Sequence, residues 1–286
     1  MSADCCFSTL LSAAQRGWLA CDGDEALLSL ALPIEGIDPL LALPQLAEQE
    51  SLQVLWDSAP GLCLAAAGPC QELELAGSRR FEQAQRFADL CLSRLHDTAA
   101  DSPAHARPRV LLRFRFFDQV SERRRSEAVV PSVQAVLPRW QLSRQGRRGW
   151  LRLNGVVSSA ADCRELAEQL WLKHEQLLKA PATPTPLKPQ ALVAATEPET
   201  WRQRYAAALT RGIDLVNSGE LHKLVLAVRH RIVLADTFNP LPLLKRLRRQ
   251  QAGSCRFLWQ RHAGDAFFGA SPERLLSLRA GWLRSD

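Results

Sequence analysis

Apolar positions in this chain fall into strand-sized runs broken by stretches of helical spacing. Phe7–Trp18 repeats with a helical period, and Ala26–Leu32 reads as a buried strand. Asp38 before Pro39 fits an N-cap followed by a first helical residue, opening a short helix that carries Leu40, Leu41 and Leu43. Leu52–Trp56, Leu62–Ala67 and Gln71–Leu75 predict a meander, with turns at Ala59-Pro60-Gly61 and Gly68-Pro69. Ser78–Leu95 is helical, with Phe81, Ala84, Phe87, Leu90, Leu92 and Leu95 in step. Asp97–Pro108 is a loop. Val110–Phe117, Ala128–Val136, Gln141–Arg144 and Trp150–Leu153 are strands, with a turn at Gln145–Gly149. Ala160–Leu178 is a helix that directs Leu166, Leu170, Trp171, Leu177 and Leu178 to a core.

The pattern then changes. Ala180–Gln190 holds four prolines and reads as a linker. Glu199–Asn217 is amphipathic through Trp201, Tyr205, Leu209, Ile213 and Val216, and Asn217-Ser218-Gly219 stops it. Leu221–Leu234 reads as one long strand and Pro240–Gln251 as a basic helix. Cys255–Gln260 and Ala266–Ala270 form a hairpin, and Leu275–Leu278 with Trp282–Arg284 forms another. The fold class expected is α+β: layered antiparallel sheets flanked by helices. Three regions follow: 1–180, a linker at 181–198, and 199–286.

Composition narrows the function classes. No run approaches the roughly 18 apolar residues a membrane helix needs, so no membrane partner is expected. The N-terminus lacks a basic stretch leading into an apolar one, and the eight cysteines form no C-x-x-C pair. They read as reduced thiols of a cytoplasmic protein. The net charge of +6 is local: residues 107–152 hold twelve arginines against three acids. Interleaved with Phe114, Phe116, Phe117, Trp140 and Trp150, these arginines fit a stacking surface for single-stranded nucleic acid. They equally fit a sheet with a charged solvent face. The second reading is the expectation, so no nucleic-acid partner is assigned.

Two segments carry candidate chemistry. In Leu221-His222-Lys223-Leu224-Val225-Leu226-Ala227, alternation puts Lys223 on the face of Val225 and Ala227. An ammonium held against apolar surface loses hydration, which suits it to take a proton. An edge lysine snorkelling to water fits the same pattern. The second segment is Phe268-Gly269-Ala270-Ser271-Pro272-Glu273-Arg274-Leu275. Gly269 permits close approach of backbone or ligand. Ser271-Pro272 suits a helix or turn start, where Glu273 is either a capping carboxylate or a proton donor. The two segments together offer a base and an acid for one small polar substrate.

These residues resemble a known family. Gly219–Ala227 is similar to the G-x-x-x-K-V-V-L-A strand of chorismate-utilising enzymes of the isochorismate synthase type. Phe267–Leu275 is similar to their F-x-G-A-S-P-E-R-L motif. Glu273 follows Lys223 by fifty positions, the family's interval. The resemblance is strongest over residues 201–286. It departs at Val228, where the family commonly has arginine, and Arg229 follows instead.

The resemblance implies an anthranilate synthase component I-like fold. Residues 1–180 would be its variable α/β region and 199–286 the start of its chorismate-binding catalytic region. It implies Mg²⁺-dependent conversion of chorismate to isochorismate, for menaquinone or siderophore synthesis. Lys223 would be the general base and Glu273 the general acid, with Gly269, Ala270 and Ser271 contacting substrate. The Mg²⁺ ligands would lie beyond Asp286, so the 286-residue chain alone is expected to be inactive. Salicylate synthase or anthranilate synthase-like chemistry and a non-catalytic interaction module are the alternatives.

Overall fold

The computed structural model describes residues 3–21, 24–47, 52–58, 61–118, 131–179, 192–195, 198–227, 231–273, 276–279 and 281–285. The elements in chain order begin with α1 (Ala3–Leu19), β1 (Ala26–Glu35), α2 (Pro39–Leu46), β2 (Gln53–Asp57), β3 (Leu62–Leu75), α3 (Arg80–Arg94) and β4 (Leu95–Asp97). Next come β5 (Leu111–Phe114), β6 (Val133–Gln145), β7 (Arg148–Val157), α4 (Ala160–Lys179), β8 (Leu192–Ala195) and α5 (Pro198–Asn217). The last are β9 (Ile232–Leu234), α6 (Leu241–Gln250), β10 (Cys255–His262), β11 (Asp265–Ser271), β12 (Ser277–Arg279) and β13 (Trp282–Arg284). Contacts divide the chain into two compact units. One is Met1–Thr185 with Pro240–Asp286, and the other is Pro186–Asn239. Residues 199–286, expected as one region, are thus shared between the units.

In the first unit, nine described strands make one sheet in the order β11-β10-β2-β3-β6-β7-β1-β4, with β5 also paired to β6. Every pair is antiparallel except β1 with β4. Alternation sorts the side chains onto two faces. Leu28 and Leu30 of β1, Leu142 of β6, Leu151 and Leu153 of β7, Leu55 of β2 and Leu258 of β10 share one face. They join one core with Leu10 and Ala14 of α1, Leu40 and Leu43 of α2, Leu166 and Leu170 of α4, and Leu244 of α6. Each buried leucine contributes roughly 1.5–3 kcal/mol. Asp38 caps α2 as expected, its carboxylate accepting from Leu40 N at 3.0 Å. The opposite face holds a smaller cluster of Leu52, Val54, Ala66, Val136 and Trp259.

Several expectations need correction. Gly68-Pro69 is not a turn: β3 runs unbroken from Leu62 to Leu75 through a register shift between Pro69 and Gln71. Gly68 takes φ +64°, and Pro69 stands opposite Pro138 of β6. Neither proline has an N–H to give the ladder, so the strands pass each other there by a bulge. On α3 the buried residues are Arg80, Ala84 and Cys91, while Phe81 and Leu90 are exposed. Arg80 turns inward because its Nη2 donates to Phe116 O at 3.0 Å.

In the second unit, α5 ends as expected at Gly219, φ +78°, with Ser218 N donating to Asp214 O at 2.9 Å. The expected strand Leu221–Leu234 does not form as one element. Only Ile232–Leu234 is a strand, paired to β8. Among the described residues, 221–227 have no ladder partner, and a lone extended segment is not a strand. The proline-rich stretch at 181–190 and residues 128–130 lie outside the described residues. No described helix is long and apolar enough to cross a membrane.

Candidate functional site

The hairpin β10–β11 carries the glycine-to-glutamate motif. Gly269 stands opposite Phe257, Ala270 opposite Arg256, and Ser271 opposite Cys255. Alternation puts Ala270 and Arg256 on the helix-covered face, and Gly269 and Phe257 on the other. A Cβ at position 269 would stand 3.0 Å from Phe257 Cζ, so the ring lies in the space that glycine leaves. β11 is an edge strand of the sheet. The chain then leaves the sheet at Ser271, whose Oγ donates to Glu273 O at 3.4 Å. No helix starts at Ser271-Pro272: residues 272 and 273 are irregular, and Ser271, Pro272 and Glu273 are exposed. Arg274 and Leu275 lie outside the described residues.

A buried ion cluster fixes this hairpin to the N-terminal strands. Arg256, 1% exposed, pairs through Nη2 with Asp57 Oδ1 at 2.9 Å, and its Nη1 donates to Ser254 O. Arg248 of α6 donates through Nε to Asp57 Oδ2 at 2.6 Å and through Nη1 to Asp38 Oδ2 at 2.5 Å. The Cys63 thiol donates to Asp57 Oδ1 at 3.0 Å. Burial works to raise the Asp57 carboxyl. Hydrogen bonds from Arg256 and Cys63 and the charge of Arg248 outweigh it, holding the group at about 2 against an ordinary 3.8. Burial, with Asp57 beside it, pushes the Cys63 thiol up to about 11.

Lys223 lies in the second unit and is exposed. Leu224 packs against Gly212, and Leu224 and Leu226 line a groove of about 370 Å³ along α5 with Leu209, Ile213 and Val216. The alternation expected for a strand survives in this form. Leu224 and Leu226 turn to α5, Leu224 still partly open to solvent, whereas Lys223 and Val225 do not line the groove and are exposed. The described residues of the second unit therefore do not themselves supply the apolar surface that would strip water from the Lys223 ammonium. The proposed base and acid belong to different units.

A second buried network lies on the sheet face away from the helices. Arg152 is fully buried, donating through Nη1 to Asp97 Oδ1 at 2.6 Å and Ser29 Oγ at 2.7 Å, and through Nε to Ala106 O at 3.0 Å. With Gln141 Nε2 on Arg107 O at 2.9 Å, it holds the loop after β4 against the sheet. Hydropathy reading missed Asp57, Arg152 and Arg256 because charge is counted as solvent-facing. A signal was present: Asp57 and Arg256 each stand two positions from a buried leucine, Leu55 and Leu258, and Arg152 stands between the buried Leu151 and Leu153.

The fit to Mg²⁺ is poor among the described residues. Mg²⁺ takes carboxylate oxygens, and no three His, Cys, Asp or Glu side chains converge there. Asp38 and Asp57 are already held by arginines.

The description chorismate binding enzyme belongs to the family model that matches residues 12–286. The chain is 27% identical over 256 residues to the salicylate biosynthesis isochorismate synthase of Pseudomonas aeruginosa, covering 89% of this chain and 52% of that protein. It spans about half the length of that curated relative. Its fold is similar to that of MenF, the menaquinone-specific isochorismate synthase from Escherichia coli. The TM-score is 0.57 at 20% identity, over 93% of this chain and 56% of that one.

Proposed function

Because the chain belongs to the chorismate binding enzyme family, we propose that it serves the conversion of chorismate to isochorismate, with Lys223 as base and Glu273 as acid. The observation that carries the reading is the pair of motifs in register, Glu273 following Lys223 by fifty positions. In this reaction water adds at C2 of the ring and the C4 hydroxyl departs as the double bond shifts. Lys223 takes a proton from the attacking water. Glu273 gives one to the departing hydroxyl, so the C4 oxygen leaves as water. The result is an isomer of chorismate with no net gain or loss of atoms.

The exposed position of Glu273 after an edge strand supports a role at a surface that receives substrate. The outer edge of β11 at Gly269, Ala270 and Ser271 offers backbone groups for its carboxylates. Mg²⁺ is the cofactor we propose for this reaction. The described residues give it no ligand cluster, so each step above rests on the chain's own groups.

The test is protein expressed from its own coding sequence, incubated with chorismate and Mg²⁺ and analysed by chromatography. Isochorismate is the product expected. Lys223→Ala is expected to lower turnover by about 10²–10⁴ while chorismate affinity changes little. Unchanged turnover in that variant would remove Lys223 from the mechanism. Release of salicylate instead of isochorismate would move the assignment to salicylate synthesis, the reading that also keeps a lysine at this position.

A further inference from the structure

The sheet face that the helices leave uncovered contains a cavity of about 610 Å³. Its floor follows from register. Leu64, Trp56 and Phe257 lie in one row across β3, β2 and β10, and Phe267 of β11 sits 5.2 Å from Phe257, centroid to centroid. Residues 109–114 form the facing wall. Size and lining match those of small-molecule sites, which are mostly apolar and hold a few polar groups that orient the ligand.

Two cations line this cavity, and their surroundings differ. Arg113 is answered by the negative charges of Asp265 and Glu74. Arg109 has no such answer. Its Nη2 donates to the neutral carbonyl of Ala104 at 2.9 Å, and its Nε is buried without a partner. Among the described residues no carboxylate stands against it. Its titratable neighbour is His105, whose pKa is lowered by burial first and by the charges of Arg109 and Arg148 next, so the imidazole is favoured in its neutral form. Burial likewise lowers the pKa of Arg109. A half-buried guanidinium with no counter-charge is costly to hold in place. The loop that carries it is nevertheless fixed, because Arg152 and Gln141 bind the carbonyls of Ala106 and Arg107.

We propose that this cavity binds a small aromatic monocarboxylate, its ring on the Trp56–Phe257–Phe267 floor and its carboxylate against Arg109. The apolar floor supplies affinity through buried area. The guanidinium supplies selection for an anion, since arginine and carboxylate form the strong charge-assisted pair. A neutral ring gains only the floor, and a carboxylate without a ring gains only the arginine.

Calorimetric titration of the 286-residue chain with 1-naphthoate, 1-naphthylmethanol and acetate tests this. Naphthoate is expected to saturate at submillimolar concentration and to bind at least tenfold tighter than either of the others. Arg109→Gln is expected to weaken naphthoate about tenfold and leave naphthylmethanol unchanged. Phe267→Ser, at an exposed position that folding tolerates, weakens both aromatic probes. Equal binding of naphthoate and naphthylmethanol to the unmodified chain overturns the proposal, because the cavity would then be a groove for any apolar surface, a polypeptide included. It is overturned too if Arg109→Gln binds naphthoate as the unmodified chain does, or if no saturable binding occurs.

Discussion

Replacing Asp57 by asparagine keeps the shape of the side chain and removes its charge. The native carboxyl titrates near 2 instead of 3.8, a difference worth ~2.5 kcal/mol of stability at neutral pH. The variant loses more than this, because Arg256 stays behind at 1% exposure with its counter-ion gone. Breaking a buried ion pair by removing one partner costs about 3–5 kcal/mol. Arg248 keeps Asp38 as a second partner, so the lower end, about 3 kcal/mol, is expected. Urea unfolding followed by tryptophan fluorescence reads the effect. With a slope of ~2–3 kcal/mol per molar, the midpoint falls by about 1–1.5 M.

The pH dependence gives a second check. A carboxyl depressed in the folded state contributes its full stabilisation above its ordinary value and loses it as pH falls towards the folded one. At pH 3 about half remains, so the gap between wild type and Asp57→Asn narrows in acid. A midpoint shift below about 0.3 M at pH 7, less than ~1 kcal/mol, or a gap as wide at pH 3 as at pH 7, refutes the assignment of Asp57 as the anchor of the hairpin.

Gly269→Ala forces Phe257 to shift and is expected to cost about 1–2 kcal/mol, seen as a lower melting temperature; an unchanged melt means the ring does not need that space. Arg152→Met leaves Asp97 and Ser29 without their donor and is expected to destabilise by about 3 kcal/mol. A second change, Asp97→Leu, recovers part of that loss in the same denaturation assay, and strict additivity of the two would show that the residues are uncoupled. Cys63, 1% exposed and pushed up to about 11, stays unalkylated by iodoacetamide at pH 8 in the folded protein. Peptide mass spectrometry finding it modified before unfolding would contradict its burial beside Asp57.

Much of this fold is legible in the residues because local signals and tertiary packing agree. The Asp38-Pro39 start of α2, the Gly219 stop of α5 and the β10–β11 hairpin each carry their own cap or turn. Where they disagree, packing wins. Pro69 reads as a chain reversal in isolation, yet Pro138 opposite lets β3 continue straight through. Leu178 carries a core-like side chain but sits 50% exposed, because α4 buries the stripe through Cys163, Leu166, Leu170 and Leu177 instead. Among the described residues Leu221–Ala227 has strand composition without a strand beside it, and composition cannot provide the partner. Of the candidate site, Lys223 and Glu273 are readable as motifs. The ion cluster that holds the Glu273 hairpin is hidden, since each of its charges reads alone as solvent-facing.

The pairing of β2 with β10 also has a consequence in time. Asp57 and Arg256 are 199 positions apart in sequence. At typical synthesis rates β2 waits roughly 10–40 s for its neighbour. During that interval the apolar strand Val54-Leu55-Trp56 presents a bare edge, a template for pairing with another chain. Asp57 at the end of that edge, not yet neutralised by either arginine, acts as a gatekeeper charge. The same carboxylate thus guards the nascent strand against aggregation first, and later becomes the lock that receives the hairpin.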